Sequence, residues 1–357
     1  IVGAAAVGLV VLAVCSPGKP GPLEDAAGGE IVGALSEKTF VEIGGIRQGM
    51  FIRSENPENP VILFLHGGPG SPELPMILPR EKEERLEKYF TVCHWDQRAA
   101  GMSYSGDIAP ADVTVERFVE DTREVTEYLR RRFGQERIIL MGHSWGSYLG
   151  VKTIQKHPGL YAAYIGIGQV TDQRESERLA YDHMLARATE TGDEKALEQL
   201  GKFDRQAADF PTLDYILSVR TRLMNKYRIG VTREPVSMAS IAKEILFSFG
   251  GYTLGEKVKY VRGMVFSSNE VFPQVLADNL FDSARRFEIP VYVAHGAWDY
   301  QVSHALAEKW MAGIEAPAKG FFTFDGSAHS PIMEEPEKFV RTVREIVGSL
   351  PAADETD

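Results

Sequence analysis

The strongest chemical signal in the chain is the run Gly142-His143-Ser144-Trp145-Gly146, which follows an apolar stretch and precedes an amphipathic one. A G-x-S-x-G run between a strand and a helix places the serine on a sharp turn and exposes its hydroxyl above the edge of the sheet. The two glycines suit this turn because the strand and the helix pack too closely there for larger side chains. A chance glycine-rich turn is the alternative, but the flanking strand and helix favour a nucleophilic serine at Ser144.

A serine hydroxyl is a weak nucleophile by itself and needs a general base, which a carboxylate holds in the correct tautomer. His329 lies in DGSAHSP after the last apolar run, and every other histidine precedes that run. Asp299, in HGAWDYQV, follows the apolar run before the last, which completes the order Ser, Asp, His expected of such a site. Asp325 is the alternative carboxylate, although it is better placed to bound the loop that carries His329.

Hydrolysis by this chemistry also needs backbone N–H groups that stabilise the oxyanion of the tetrahedral intermediate. One donor is expected from the residue after the nucleophile, which is Trp145, and another from the loop after the third strand. That loop is HGGPG, residues 66–70, and its missing side chains would let a backbone N–H approach the substrate oxygen. We therefore expect an oxyanion hole formed by Gly68 and Trp145, whereas the loop taken alone would indicate no more than a tight turn.

Short apolar runs alternate with longer amphipathic stretches from about Thr39 onwards. This alternation is typical of an α/β fold with a mainly parallel central sheet flanked by helices. TFVEI, a Gly-Gly turn and IRQGMFIRS predict an opening hairpin, the clearest helix spans Thr114 to Phe133, and a last helix begins near Pro336. The predicted central strands are VILFLHG, TVCHWD, RIILMGHS, YAAYIGIG, VYVAHG and GFFTFD.

The strand signal disappears from about Thr171 to Leu280, where charged helical segments such as DEKALEQLGK take its place. The sequence therefore predicts a helical cap, residues 171–280, inserted into a sheet domain formed by residues 36–170 and 281–357. Residues 1–35 are predicted to be an N-terminal segment and linker.

The composition limits the possible partners and cofactors. The formal net charge of −11 and the lack of a basic run make nucleic acid an unexpected partner. The two cysteines, Cys15 and Cys93, belong to no CxxC or Cys/His cluster, so neither a disulfide framework nor a structural zinc site is indicated. We expect no cofactor and no metal, and a small molecule or short peptide as the substrate.

The first fourteen residues, IVGAAAVGLVVLAV, are uncharged and apolar, and Cys15 and a glycine- and proline-rich stretch follow. This pattern predicts an export or anchoring segment with a loose linker behind it, which would place the catalytic domain outside the cytoplasm. The run is shorter than the roughly 20 residues that span a bilayer, and the missing Met leaves room for a basic start before Ile1. Leu12-Ala13-Val14-Cys15 resembles a bacterial lipoprotein cleavage box, so lipidation at Cys15 and an uncleaved anchor are both open. Any membrane contact is expected through this segment only.

The segments HGGPG, WDQRAAGMS, GHSWGS, HGAWD and SAHSP together resemble the prolyl aminopeptidase (proline iminopeptidase) family of α/β hydrolases. The resemblance covers most of the sheet domain and implies the α/β-hydrolase fold, a helical cap and the release of N-terminal residues, often proline. It also implies that cap carboxylates hold the free amine of the substrate. Glu270 in SSNEVF is the leading counterpart, and Glu175 and Glu177 are further candidates. The family's usual DQRG is DQRA here, with Ala99 in the last position.

Three functions fit these features. The motif set favours an aminopeptidase or related amidase acting on short peptides, but the same triad cleaves esters, so a carboxylesterase is the first alternative. A non-catalytic binding protein on a hydrolase scaffold is the second, and the complete set of Ser144, Asp299 and His329 counts against it. Epoxide-hydrolase and dehalogenase chemistry needs a carboxylate at the position of Ser144 and is excluded. The sequence leaves the leaving group, the pocket and the oligomeric state open.

Overall fold

The computed structural model describes residues 11–80 and 84–350. Its centre is an eight-stranded sheet formed by β1 Leu35–Ile43, β2 Ile46–Ser54, β3 Val61–Leu65, β4 Thr91–Trp95, β5 Ile138–His143, β6 Tyr161–Ile167, β7 Val291–Gly296 and β8 Lys319–Phe324. The strand order is β1-β2-β4-β3-β5-β6-β7-β8. Strand β2 is antiparallel to both of its neighbours, β1 and β4, and the six strands from β4 onwards in this order are parallel. The predicted fold class is confirmed by this topology.

Helices connect the strands and cover both faces of the sheet. In the described part of the chain they are α1 Leu74–Ile77, α2 Val115–Phe133, α3 Trp145–Lys156, α4 Gln173–Thr191, α5 Glu194–Leu200, α6 Leu213–Tyr215, α7 Thr221–Lys226, α8 Met238–Lys243, α9 Leu254–Leu276, α10 Leu280–Ser283, α11 His304–Gly313, α12 Pro331–Glu334 and α13 Pro336–Gly348. The predicted helix over 114–133 is confirmed as α2, because Thr114 caps its first turn and Gly134, with φ of 64°, ends it.

The central strands are buried on both sides, as their continuous apolar runs predict. Along β3, Leu63 and Leu65 pack with α2 and α3 on one face, and Ile62 and Phe64 pack with α13 on the other. Parallel strands present their carboxyl ends at one edge of the sheet, where ligands of open α/β sheets bind. The residues that follow β3, β5, β7 and β8 therefore meet at a single edge.

Between β6 and β7 the described chain forms helices, and several of them build a small apolar core of their own that includes Tyr181, Phe210 and Tyr215. The longest helix, α9, begins with a capping box formed by Thr253 and Glu256. It lies across the loops at the carboxyl edge of the sheet. Its hydroxyl groups reach these loops through the hydrogen bonds Tyr260–Pro72, Ser267–Ala99 and Ser268–Pro69.

Residues 15–24, here called the N-terminal strap, are hydrogen-bonded to the domain. The Gly18 N–H donates to the carbonyl of Gly250 at 3.0 Å, and Lys257 Nζ donates to the carbonyl of Cys15 at 2.8 Å. The prediction of a loose linker is therefore wrong, because prolines and glycines exclude a regular helix but leave carbonyl oxygens free to accept hydrogen bonds. Further bonds of the strap are Lys19–Gly250, Ser36–Gly21, Arg53–Gly21 and Arg85–Glu24.

None of the helices in residues 11–80 and 84–350 combines the length and the hydropathy that a membrane-spanning helix needs. Most of the predicted anchoring segment, residues 1–10, lies outside the described residues.

Candidate active site

Ser144 lies on the turn between β5 and α3 with φ of 55° and ψ of −121°, backbone angles that a residue other than glycine adopts only under strain. The packing around the turn maintains this conformation. A side chain at Gly146 would overlap the carbonyl of Leu65, and one at Gly142 would overlap the carbonyl of Gly146. The Ser144 N–H donates to the Ile167 carbonyl at 2.9 Å, which ties the turn to the neighbouring strand.

The structure brings His329 and Asp299 into direct contact. Asp299 Oδ2 lies 2.7 Å from Nδ1 of His329, and Asp299 Oδ1 accepts a hydrogen bond from the Val302 N–H at 2.9 Å. Burial favours a raised pKa for Asp299, but its close contacts with the His329 and His295 rings outweigh the burial and hold the pKa well below its usual value. The carboxylate is therefore ionised. Asp325, the alternative acid, is exposed and near Lys338 instead.

His329 is buried, and this burial lowers its pKa below the ordinary value against the opposing effect of Asp299. The ring is thus neutral near pH 7, as a general base must be. The His329 ring lies against Gly168. The preceding residue, Ile167, accepts the Ser144 N–H through its carbonyl, so the base and the nucleophile turn approach the same strand end. No hydrogen bond joins Ser144 Oγ to His329 among the described residues, and such bonds often form only in the complex with substrate.

The HGGPG loop follows β3 and reaches Ser144. Gly68 has φ of 114° and precedes a cis peptide bond to Pro69. The Gly67 N–H is bound to Glu73 Oε1 at 3.3 Å, whereas the N–H groups of Gly68 and Trp145 have no partner in the part of the chain that the structure describes. These are the two donors expected for the oxyanion.

Comparisons with known proteins identify the family of the chain. The model of the α/β hydrolase fold family matches residues 60–235. A Bacillus subtilis (strain 168) protein named "Probable aminopeptidase YbaC" is 32% identical over 306 residues, which are 85% of this chain and 93% of that protein. The chain belongs to the α/β-hydrolase family. The predicted hydrolase and its resemblance to the proline iminopeptidases are confirmed by these matches.

Two further relatives of this α/β hydrolase carry the proline iminopeptidase name. A Streptomyces coelicolor protein named "Probable proline iminopeptidase" is 34% identical over 122 residues, which are 32% of this chain and 35% of that protein. The solved structure of proline iminopeptidase from Mycobacterium smegmatis superposes with a TM-score of 0.62 at 19% identity, covering 87% of this chain and 98% of that one. At this low identity the structural match supports the fold alone.

The departure from the DQRG motif has a structural cost in this α/β hydrolase. Ala99 has φ of 59°, a left-handed conformation that costs a residue with a Cβ about 1–2 kcal/mol and that glycine adopts freely. The motif keeps its contacts nevertheless. Asp96 accepts hydrogen bonds from the Met102 N–H and the Tyr252 hydroxyl, and burial raises its pKa to about 7.

The three cap carboxylates lie in different surroundings. Glu270, on α9, is half-buried, and its carboxylate has no hydrogen bond or ion pair within the described residues. Glu175 lies near the surface, where its Oε2 is 3.4 Å from Arg178 Nη1. Glu177 is fully buried, and Arg220 Nε lies 2.6 Å from its Oε2. The charge of Glu177 is therefore already balanced by Arg220. Of the three carboxylates, Glu270 is the one left unpaired.

Sequence reasoning missed Glu73, His143 and His295 as members of the site. His143 Nδ1 lies 2.6 Å from Glu73 Oε1, and His295 Nε2 lies 3.1 Å from Asp299 Oδ2. His143 occurs inside the GHSWG motif, which is a signal of proximity to the site, but nothing local in the sequence indicates its pairing with Glu73. No group of three or more His, Cys, Asp or Glu side chains that could hold a metal occurs in residues 11–80 and 84–350.

Proposed function

We propose that this α/β hydrolase cleaves amide bonds through an acyl-enzyme. Ser144 attacks the carbonyl carbon while His329 takes the hydroxyl proton, and Asp299 stabilises the imidazolium that forms. The N–H groups of Gly68 and Trp145 donate to the oxyanion, and the N-terminus of α3 favours its negative charge. His329 then returns the proton to the leaving amine, and water releases the acyl group by the same steps.

We further propose that the substrate is a short peptide with a free N-terminus, from which the enzyme releases the first residue. The observation that carries this proposal is the 32% identity, over 93% of its length, to a relative named as an aminopeptidase. Carboxylester hydrolysis is the second candidate, because the same triad and oxyanion donors act on esters. The two candidates differ in whether the enzyme recognises an ammonium group.

Glu270 supports recognition of an ammonium group. Its carboxylate is half-buried and unpaired among the described residues, and it belongs to the part of α9 that contacts the HGGPG loop through Ser268 and Pro69. A carboxylate that is partly removed from water binds an ammonium group more strongly than an exposed one does, because less solvent screens the pair. Glu270 is therefore our choice for the residue that holds the substrate amine.

Glu270→Gln is expected to lower kcat/KM for aminoacyl arylamides by about tenfold or more, because one partner of a charge pair is lost. Hydrolysis of short aryl esters, which carry no ammonium, should stay within a few-fold. Both rates are measured on purified protein, with Glu198→Gln, an exposed cap carboxylate beside Lys202, as the matched control. An equal loss on both substrates would exclude Glu270 as the amine-binding residue.

The choice between the two functions is tested on the wild-type enzyme. An aminopeptidase cleaves free-amine arylamides and fails on the same compounds after N-acetylation, since the acetyl group removes the charge. Equal cleavage of acetylated and free substrates would refute the aminopeptidase proposal and support an esterase or an amidase that ignores the N-terminus.

We also propose that the N-terminal segment attaches the protein to a membrane or envelope and that the catalytic domain lies outside the cytoplasm. The support is the apolar run of residues 1–14 and the cysteine that follows it. Membrane contact through residues 1–10 and lipidation of the Cys15 thiol are both compatible with the hydrogen bond from Lys257 Nζ to the Cys15 carbonyl, because that bond uses only the backbone oxygen of Cys15.

Removal of residues 1–14 is expected to move the protein from the membrane fraction to the supernatant with its activity intact, because the strap and its bonds remain. Removal of residues 1–31 should in addition lower the melting temperature, since Lys257, Arg53 and Arg85 lose carbonyl partners. Fractionation and thermal unfolding of the two truncated chains measure these effects. If the protein stays in the membrane fraction after residues 1–14 are removed, these residues are not the anchor. Lipidation of Cys15 is tested separately, by comparing palmitate labelling of the full chain with that of its Cys15→Ser variant.

A further inference from the structure

The hydrogen bonds of the buried histidines around Ser144 reveal their protonation. A neutral imidazole has one N–H donor and one acceptor nitrogen, whereas an imidazolium has two donors. The ring of His66 has one of each, since Nδ1 faces the Gly67 carbonyl at 2.8 Å and Nε2 accepts from the Gln97 N–H at 3.2 Å. Its surroundings therefore match a neutral ring.

The same is true of His295. Its Nδ1 accepts a hydrogen bond from the Gln169 N–H at 3.3 Å, and its Nε2 faces the carbonyl of Val302 and Oδ2 of Asp299, each at 3.1 Å. One nitrogen accepts and the other donates, so this ring is neutral as well.

His143 is different, because both of its ring nitrogens face acceptors. Nδ1 lies 2.6 Å from the Glu73 carboxylate, and Nε2 lies 2.8 Å from the backbone carbonyl of His329. An ionised carboxylate and a backbone carbonyl are both acceptors, so beside an ionised Glu73 both nitrogens carry a hydrogen and the ring is positive. Burial by itself lowers the pKa of His143, but Glu73 and the His329 carbonyl more than offset this and raise it above the ordinary value.

This pair occupies a central position in the site. The ring of His143 lies 4.7 Å from the ring of His329, tilted by 38°, and its Nε2–H donates to the backbone of that same residue. Glu73 Oε1 also accepts the Gly67 N–H, whereas its Oε2 is buried without a partner in the described residues. The pair thus connects the HGGPG loop, the nucleophile turn and the loop of the base.

We propose that His143 is a permanently charged positioning residue, paired with Glu73, which fixes the backbone of His329 and disfavours protonation of its ring. The proposal rests on the assignment of His329 as the general base. The charged and titratable groups around His329 are Asp299, His295 and His143. Those facing His143 are Glu73, His329 and, at longer range, Asp299. A cation beside an imidazole opposes its protonation, so the base stays available at lower pH than Asp299 alone would allow.

The first test is the pH dependence of kcat/KM, whose acid limb reports the pKa of the free base. His143→Asn removes the neighbouring cation, and the acid limb should move upward by about one pH unit. Glu73→Gln has nearly the same shape and keeps an oxygen that can accept from Gly67 and His143. It removes the negative charge, so the His143 ring becomes neutral and the acid limb of kcat/KM should also move upward. His66→Asn is the matched control, because that buried ring is uncharged, and its acid limb should stay at the wild-type pH.

A purely structural role of His143 would lower kcat and leave the acid limb in place, and that result in both His143→Asn and Glu73→Gln would overturn the proposal. The second test does not depend on activity. Nitrogen-15 NMR of the histidine rings should show the His143 ring still doubly protonated in the wild type and in Ser144→Ala at pH values above the ordinary histidine pKa of about 6.5. That signal should be absent from His143→Asn and should titrate in Glu73→Gln.

The two tests separate this proposal from the function on which it rests. If His329→Ala keeps full activity, the assignment of the base fails, whatever the NMR spectrum shows. If His329→Ala is inactive but His143 titrates near pH 6.5 in the wild type, the base is correct and the permanent charge on His143 is refuted.

Discussion

Ser144→Ala is expected to lower kcat by roughly 10³–10⁶ on any substrate of this enzyme, because it removes the nucleophile and leaves only binding and the oxyanion donors. The fold should tolerate the change. The hydrogen bond from residue 144 to the Ile167 carbonyl is made by the backbone N–H, so the variant keeps it. Unfolding by denaturant should therefore show a midpoint close to that of the wild type, so that the loss of rate reports chemistry.

A fluorophosphonate probe, which reacts with activated serines, provides the direct measurement. The wild type should be labelled and Ser144→Ala should not. Ser147→Ala is the matched control, since this hydroxyl lies one turn further along α3 and donates to the Ser144 carbonyl at 2.6 Å. It should still be labelled. Labelling of the active site in Ser144→Ala would show that another residue is the nucleophile.

The parts of this structure that sequence could predict are those with local constraints. The turn at Ser144 needs small neighbours and a strand before it, and all of these requirements are met within a few residues. His329 and Asp299 are far apart in sequence, but each follows a buried strand. Because parallel strands end at one edge of the sheet, their positions relative to the strands were enough to predict that they meet, and the structure places them 2.7 Å apart.

The contacts that sequence could not predict depend on which side chains reach each other across the fold. Glu73, which precedes α1, is paired with His143 at the end of β5, and Glu177 on α4 is paired with Arg220, which directly precedes α7. In both cases no periodic pattern or motif encodes the partner. The N-terminal strap shows a second limit. Its composition indicates irregular backbone, and composition does not say whether that backbone is solvated or bound.

The buried pair of Glu177 and Arg220 leads to the prediction with the largest effect on stability. Glu177 is completely buried and Arg220 is nearly so, with side-chain exposures of 0% and 11%. Arg220→Met should lower the free energy of unfolding by about 3–5 kcal/mol, because it leaves a buried carboxylate without its partner. The double variant Glu177→Met/Arg220→Met should recover most of this loss, since apolar side chains often replace a buried ion pair at little cost.

Chemical denaturation of the wild type, the two single variants and the double variant gives the interaction energy of the pair.

The same series links the cap to catalysis. Arg220 Nη1 donates to Gln301 Oε1 at 3.1 Å, and Gln173 Nε2 donates to the Gln301 carbonyl at 2.9 Å, two residues after Asp299. The double variant should therefore regain stability while kcat remains reduced, because Gln301 has lost its partner on Arg220 and the loop that carries Asp299 is held less firmly. Full recovery of kcat together with stability would show that the pair supports the cap alone and does not position the acid.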